Sequence, residues 1–311
     1  MTLPERTAPG SSGVAQRRSR STSFKKQWTW YLFIAPNLLL FLCFTLFTWG
    51  FLLFLSLNNW SLIGARSFIG LDNYARALGD AVFWIALRNT AVYAVLVVVP
   101  ISALALMLAV LVNQKIPLVG VFRSAYYLPV VTSISVIAII WAFTFVPQPD
   151  GPANYLLGLV GIPPQDFRID PDEALPTVAA MGIWSSAGYY MILWLSGLQS
   201  VPEELEEASR IDGAGRWQVF WNVTLPLLKP TTVFIVMIAT IGALQVFGAA
   251  YVLTGGGPVR ATTTIVYYIW LAAFGTYQMG YGASVSVILF GIVLVIALLQ
   301  RRLLRWSEEL Y

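Results

Sequence analysis

Six long apolar runs constrain this chain more than any other feature: Trp30 to Ser56, Asn89 to Val112, Ala125 to Phe145, Val178 to Ser200, Thr232 to Thr254 and Ala283 to Leu299. A helix needs about 20 predominantly apolar residues to cross the hydrocarbon of a bilayer, so each run is a candidate span. The 311 residues are 58% hydrophobic and only 11% charged, a balance outside the range of soluble domains. The expected fold is all-α, a polytopic membrane protein with six transmembrane helices. A seventh apolar stretch, Ile265 to Phe274, is too short to span and reads as a buried or re-entrant helix in the last external loop.

Orientation follows from the basic residues. With those spans and a cytosolic amino terminus, fourteen of the nineteen Lys and Arg residues fall inside: Arg6, Arg17, Arg18, Arg20, Lys25, Lys26, Lys115, Arg123, Arg210, Arg216, Lys229, Arg301, Arg302 and Arg305. The positive-inside rule then puts both termini in the cytoplasm. The external segment Pro147 to Pro176 fits, holding Asp150, Asp166, Asp170, Asp172 and Glu173 against Arg168 alone. Residues 1–27 are rich in Ser, Thr, Gly and Arg and read as a flexible basic arm near acidic headgroups. They lack the architecture of a cleaved signal peptide, because the apolar run that follows is too long. Residues 28–306 form the six-span domain, and 307–311 a short cytosolic tail.

Several chemistries are poorly served. The chain has no His and one Cys, Cys43, so an internal disulfide is impossible and thiolate or imidazole metal sites are excluded. No phosphate-binding G-x-x-x-x-G-K-[ST] loop is present, so any ATP must bind another chain. No cofactor is expected. The net charge of +4 arises from the inner flanks, which gives a nucleic-acid partner little support.

Between the fourth and fifth spans lies Val201 to Pro230, a charged amphipathic segment in an otherwise oily chain. Pro202 suits a first helical position, and Glu203, Glu204, Glu206 and Glu207 put negative charge at the helix amino terminus. A first helix is expected from Glu203 to Ile211, then a turn at Asp212-Gly213, because Gly tolerates a positive φ. A second helix carries Trp217, Phe220, Trp221, Thr224 and Leu225 at helical spacing, one largely apolar face. Pro226 and Pro230 are expected to close it. Such a pair can lever the spans when pushed, or it can simply float at the headgroups.

Glu207-Ala208-Ser209, Asp212-Gly213-Ala214 and Leu225-Pro226 resemble the EAA motif of binding-protein-dependent ABC importer permeases, with Ser209 in place of the usual second Ala. The resemblance extends over most of residues 28–306 and points to the carbohydrate-uptake, MalF-type branch. It is carried by Ala35-Pro36, Phe68 to Tyr74 (FIGLDNY), Asn89-Thr90, Tyr127-Leu128-Pro129 and Leu253 to Pro258 (LTGGGP). Glycerol-phosphate permeases share much of this pattern.

That resemblance implies a non-catalytic subunit in a bacterial or archaeal cell membrane. Its implied partners are a second, MalG-type permease, two ATPase subunits, an extracytoplasmic solute-binding protein and a sugar. The EAA helix pair would be cytosolic and couple to an ATPase through Glu207, Ala208, Ser209, Asp212, Gly213, Leu225 and Pro226, with Glu207 forming the charged contact. Substrate would pass polar and aromatic groups of the fourth and fifth spans, Ser186, Tyr189, Gln245, Phe247 and Tyr251, since hydroxyls and amides match sugar hydroxyls and rings cover pyranose faces. Ser and Tyr in membrane helices also satisfy neighbouring backbone. A secondary transporter would instead show acidic residues within spans or an internal repeat, and the six runs lack Asp and Glu. A membrane enzyme would need a nucleophile, an acid-base pair or a metal cluster.

Overall fold

The computed structural model describes residues 24–61, 66–114 and 117–305, so most of the expected basic arm and the whole expected tail lie outside the described residues. The chain divides into two compact units, residues 1–51 and 52–311. In the first, a helix begins at Phe24 and continues through a π-helical turn at Phe41–Leu46 that contains Cys43. Residues 30–51 are exposed throughout.

Counting membrane-length helices, α1 is Trp30–Ser56. Then follow β1 (Asn58–Asn59) and β2 (Ser67–Phe68), an antiparallel pair with Asn58 opposite Phe68, and α2 (Asp72–Gly79). Next come α3 (Ala81–Val112), α4 (Val119–Val131), α5 (Ile134–Thr144), α6 (Pro152–Leu159) and α7 (Pro171–Gln199). The remainder is α8 (Glu203–Ile211), α9 (Arg216–Leu227), α10 (Lys229–Leu244), α11 (Gly248–Leu253), α12 (Ile265–Gly275) and α13 (Met279–Arg305).

Helical, multi-pass architecture is as expected, and three expected boundaries are corrected. First, α3 begins at Ala81 rather than Asn89, because Asp80 caps it by accepting the Val82 N–H at 2.8 Å. Second, the run 125–145 is not one straight helix: α4 and α5 meet at 98°. Third, the run 232–254 stops as a helix at Leu244, and α9 and α10 meet at 66°. Among the described residues, four helices, α1, α3, α7 and α13, are each long and apolar enough to cross a membrane, and the number rises to at most six if each bent pair counts as one span.

Helix α7 is the centre of the second unit. Met181, Met191 and Val178 are fully buried on it, and Trp194 is 2% exposed. It packs against α3 and α4 through glycines. A Cβ at Gly182 would lie 2.3 Å from the Tyr93 hydroxyl of α3, and one at Gly188 would lie 2.1 Å from the Tyr126 carbonyl oxygen of α4. Removing side chains here brings helices closer than Leu or Ile could, the usual route to tight packing where lipid competes with protein.

Side-chain clamps account for three sequence features. Asn73, in the FIGLDNY stretch, donates to the carbonyls of Ser56 and Asn58 at 2.9 and 3.0 Å, fixing the chain between α1 and α2. Asn154 is 2% exposed and gathers the loop after α5, donating to Gln148 and Gln165 carbonyls and accepting the Gln165 N–H at 2.9 Å. Asn89 donates to the carbonyls of Arg260 and Thr263, while Thr90 accepts the Ile265 N–H at 2.8 Å and so starts α12. Thr90→Val keeps the shape but orphans that buried N–H, a loss of about 1–3 kcal/mol. A lowered melting temperature of the purified protein in detergent is the expected result, and an unchanged one would show that the clamp contributes nothing.

Asp80 also gathers three elements, accepting hydrogen bonds from Tyr268 of α12 and, at 2.9 Å, from Tyr281 of α13. Burial raises its carboxyl, but hydrogen bonds from Tyr268, Val82, Tyr281 and Phe83 outweigh that and hold it below the ordinary carboxylate value. This contribution to stability is present above the ordinary value and is lost as pH falls through the lowered one.

Candidate functional site: two helix breaks and a hinged helix pair

The α4–α5 break is local in origin. Pro129 removes a backbone donor near the end of α4, and Thr132 and Ser133 adopt extended ψ angles of 138° and 132°. The Thr132 hydroxyl donates to the Leu128 carbonyl at 2.9 Å, compensating part of the broken ladder. A second break follows α10, where Gln245 and Phe247 leave helical geometry and the Thr264 hydroxyl takes the Val246 carbonyl at 2.8 Å. The two breaks are neighbours: a Cβ on Gly248 would lie 3.1 Å from Ile134. Interrupted helices within a bundle leave backbone groups free for a polar ligand.

A cavity of about 250 Å³ opens at the first break, between α4, α5 and α7. Ser186 and Tyr189 line it, joined by Ser185, Tyr190 and Thr132. Tyr189 is 39% exposed and its ring stands edge-on to Tyr190, centroids 5.1 Å apart. Gln245, Phe247 and Tyr251 do not line this cavity. Gln245 is exposed at the second break, and the two rings join a different group. Phe247, Tyr251, Tyr267 and Trp270 form a four-ring cluster with every pair of centroids between 4.8 and 6.3 Å. Sequence reading missed Tyr267 and Trp270, whose i, i+3 spacing on an apolar helix looks like ordinary core.

Helices α8 and α9 form the other candidate. Gly213 has φ +89°, and the Ala214 N–H returns to the Ser209 carbonyl at 3.0 Å, a left-handed helix termination. Glu207, Ala208 and Asp212 are exposed, and the Ser209 hydroxyl is spent on the Leu205 carbonyl. Leu225 is half-buried and Pro226 exposed.

Four of the five residues expected on the apolar face of α9, Trp217, Phe220, Trp221 and Thr224, line one cavity together with Leu106, Val110 and Leu111 of α3. Phe220 and Thr224 turn inward with Val219, whereas Trp217 and Trp221 are 75% and 56% exposed. A π-helical turn spans Phe220–Thr224 within α9. The helix continues through Pro226, which therefore does not end it. The bend comes at Leu228, 1% exposed, and Pro230 lies in the first turn of α10.

Glu206, singled out at first only for its charge, holds the pair together. Its Oε1 accepts the Thr224 hydroxyl at 2.9 Å, and its Oε2 pairs with Arg210 at 3.3 Å.

Residues 91–308 match the family described as binding-protein-dependent transport system inner membrane component. The chain is 33% identical over 297 residues to the arabinooligosaccharides transport system permease protein AraP of Bacillus subtilis, covering 95% of this chain and 94% of that one. It is 33% identical to the sn-glycerol-3-phosphate transport system permease protein UgpA of Agrobacterium fabrum, covering 88% and 93%. A chain in the crystal structure of a bacterial alginate ABC transporter, in complex with a periplasmic protein bound to alginate pentasaccharide, superposes with a TM-score of 0.77. That chain is 24% identical, with 89% and 93% covered.

Proposed function

The chain belongs to the binding-protein-dependent transport system inner membrane components, and from that membership we propose that it is one permease half of an ATP-driven sugar importer. Similarity over nine-tenths of the chain to permeases named for the transport of arabinooligosaccharides and of starch degradation products supports the cargo class. Each bent pair is read as one span, which makes six crossings within residues 28–306, and the positive-inside distribution supports a cytoplasmic position for both termini and α8–α9. The basic arm before that domain and the tail at 307–311 belong to the same face. A second, MalG-type permease completes the pore, two ATPases bind at α8–α9, and an extracytoplasmic protein delivers the sugar. Hydrolysis belongs to the ATPases, because this chain lacks a phosphate loop.

The observation that carries the reading is the hinged pair α8–α9 between α7 and α10. Exposed Glu207, Ala208 and Asp212 offer a surface to an ATPase, Ser209 and Gly213 shape the turn, and Leu225 and Pro226 lead into the bend. Co-expression with candidate partners tests it: an ATPase should co-purify, and deletion of residues 203–223 should abolish that. Uptake by this chain alone, without ATP, would overturn the importer reading and favour a secondary carrier.

For the pathway, Ser186 and Tyr189 at one break and Gln245 beside Phe247 and Tyr251 at the other provide hydroxyl, amide and ring surfaces for a pyranose. Tyr189→Ala combined with Gln245→Ala is expected to lower uptake about tenfold or more, the loss of a ring contact and a hydrogen bond together. The variant should reach the membrane at wild-type amounts. Unchanged uptake would remove both residues from the pathway.

One observation favours a second cargo. A cavity of about 400 Å³ beside Gly255–Gly257 is lined, among the described residues, by Arg76 and Arg260 and by no carboxylate, Asp80 lying behind its Tyr268 and Tyr281 hydroxyls, a setting that suits an anion such as a polyol phosphate. Competition of uptake by an arabinooligosaccharide or by glycerol-3-phosphate separates the two.

A further inference from the structure

We propose that the Glu206–Thr224 hydrogen bond is the latch through which movement of α8 reaches the α10 span, making both positioning residues for transport. This rests on the reading of α8–α9 as the ATPase-coupling pair.

A helix that receives a push transmits it only if it is tied to what must move. Along the chain, α8 is joined to α9 through Asp212–Gly215, where Gly213 sits at φ +89° with open space around it. A tight turn holds the two ends together but leaves the angle between the helices to their side chains. Among the described residues, Glu206 supplies a side-chain hydrogen bond that crosses this turn. It accepts the hydroxyl of Thr224, eighteen positions on, at 2.9 Å.

Both ends of that bond are built in. Thr224 is 5% exposed within the π-helical turn, and the Glu206 side chain is 30% exposed, with Arg210 on its other oxygen. An ionised acceptor in a partly dry setting gives a stronger bond than two neutral groups. From Thr224 the chain runs directly to the bend: the Leu228 N–H returns to the Thr224 carbonyl at 3.0 Å, and Leu228 is the buried residue at the 66° angle before α10. A rigid connection therefore runs from Glu206 through Thr224 and Leu228 into α10, whose far end is the break at Gln245. Glu207, the neighbour exposed to a partner, receives the push, and Glu206 hands it on.

The test uses the assembled permease–ATPase complex in membrane vesicles and needs no knowledge of the cargo. In a Cys43→Ser background, Gly242→Cys, at an exposed position in the last turn of α10 where an added Cβ has room, reports the far end of that helix through its rate of labelling by a thiol reagent. ATP with vanadate should change that rate about fivefold or more in the parent, the scale of coupling between linked sites. Thr224→Val should erase the change while the ATPase still co-purifies, and Thr224→Ser, which restores the hydroxyl, should bring it back. Glu206→Gln keeps an acceptor oxygen and should respond, whereas Glu206→Leu should not. The Glu206 pair decides the matter even if Thr224→Val fails to accumulate, since Glu206 lies nearer the surface.

Persistence of the nucleotide response in Thr224→Val or Glu206→Leu overturns the latch and leaves the coupling reading intact. Equal loss in Thr224→Ser and Thr224→Val also overturns it, because the hydroxyl would then not be the determinant. A parent without any nucleotide response overturns the coupling reading, and the latch with it.

Discussion

Alanine at Gly188 is expected to abolish uptake and to leave little folded protein in detergent. Its Cβ would lie 2.1 Å from the Tyr126 carbonyl oxygen, 2.8 Å from that carbonyl carbon and 2.9 Å from the Tyr127 Cα. All three are backbone atoms, so no side-chain rotation relieves the clash, and α4 must move away from α7. Overpacking of a core costs about 1–3 kcal/mol when side chains can adjust, and this site lacks that freedom. Gly188 also lies between Ala187 and Tyr189, so displacement of α4 would reshape the cavity at the first break. Gly291→Ala is the control, since no atom lies within 4 Å of its added Cβ. Size-exclusion profiles and uptake of the two variants decide the matter: normal behaviour of Gly188→Ala would mean that α4 does not pack against α7 as described.

Proline at Gly213 and lysine at Glu207 are expected to uncouple ATP hydrolysis from uptake by different routes. Proline fixes φ near −65°, and Gly213 sits at +89°, so the turn between α8 and α9 cannot form. The helix pair loses its shape while the spans still insert. Glu207→Lys preserves the shape and reverses an exposed charge. Loss of uptake of about tenfold or more is expected for each, with the chain present in the membrane at normal levels. Gly213→Ala is intermediate, because space is open and only the left-handed backbone is disfavoured, by about 1–2 kcal/mol. Normal uptake by both Gly213→Pro and Glu207→Lys would sink the assignment of α8–α9 as the coupling element.

Much of the α8–α9 region was legible because its determinants are local. Pro202, the acidic first turn and Asp212-Gly213 specify a helix, its start and its stop within a dozen residues, and α8 runs from Glu203 to Ile211 as expected. The π-helical turn within α9 was not legible, since it has no composition of its own. The sequence marked Glu207 by its motif, whereas the bond of Glu206 depends on Thr224 approaching from another helix.

The same division holds for the membrane region. Runs of apolar residues determined that the chain is helical and multi-pass, because a backbone in lipid must satisfy its own hydrogen bonds. Capping residues Asp80 and Asp170 extended α3 and α7 beyond their apolar runs, a signal that hydropathy overlooks. Pro129 sets the first break locally, whereas tertiary structure decided where α10 stops and which groups meet at the two breaks. Thr90 starts α12 from 175 positions away, and Tyr267 and Trp270 reach Phe247 and Tyr251 only after the chain has turned back. Those contacts join residues far apart in sequence, and their geometry is set by how closely whole helices approach, which glycines such as Gly188 permit but no local pattern announces.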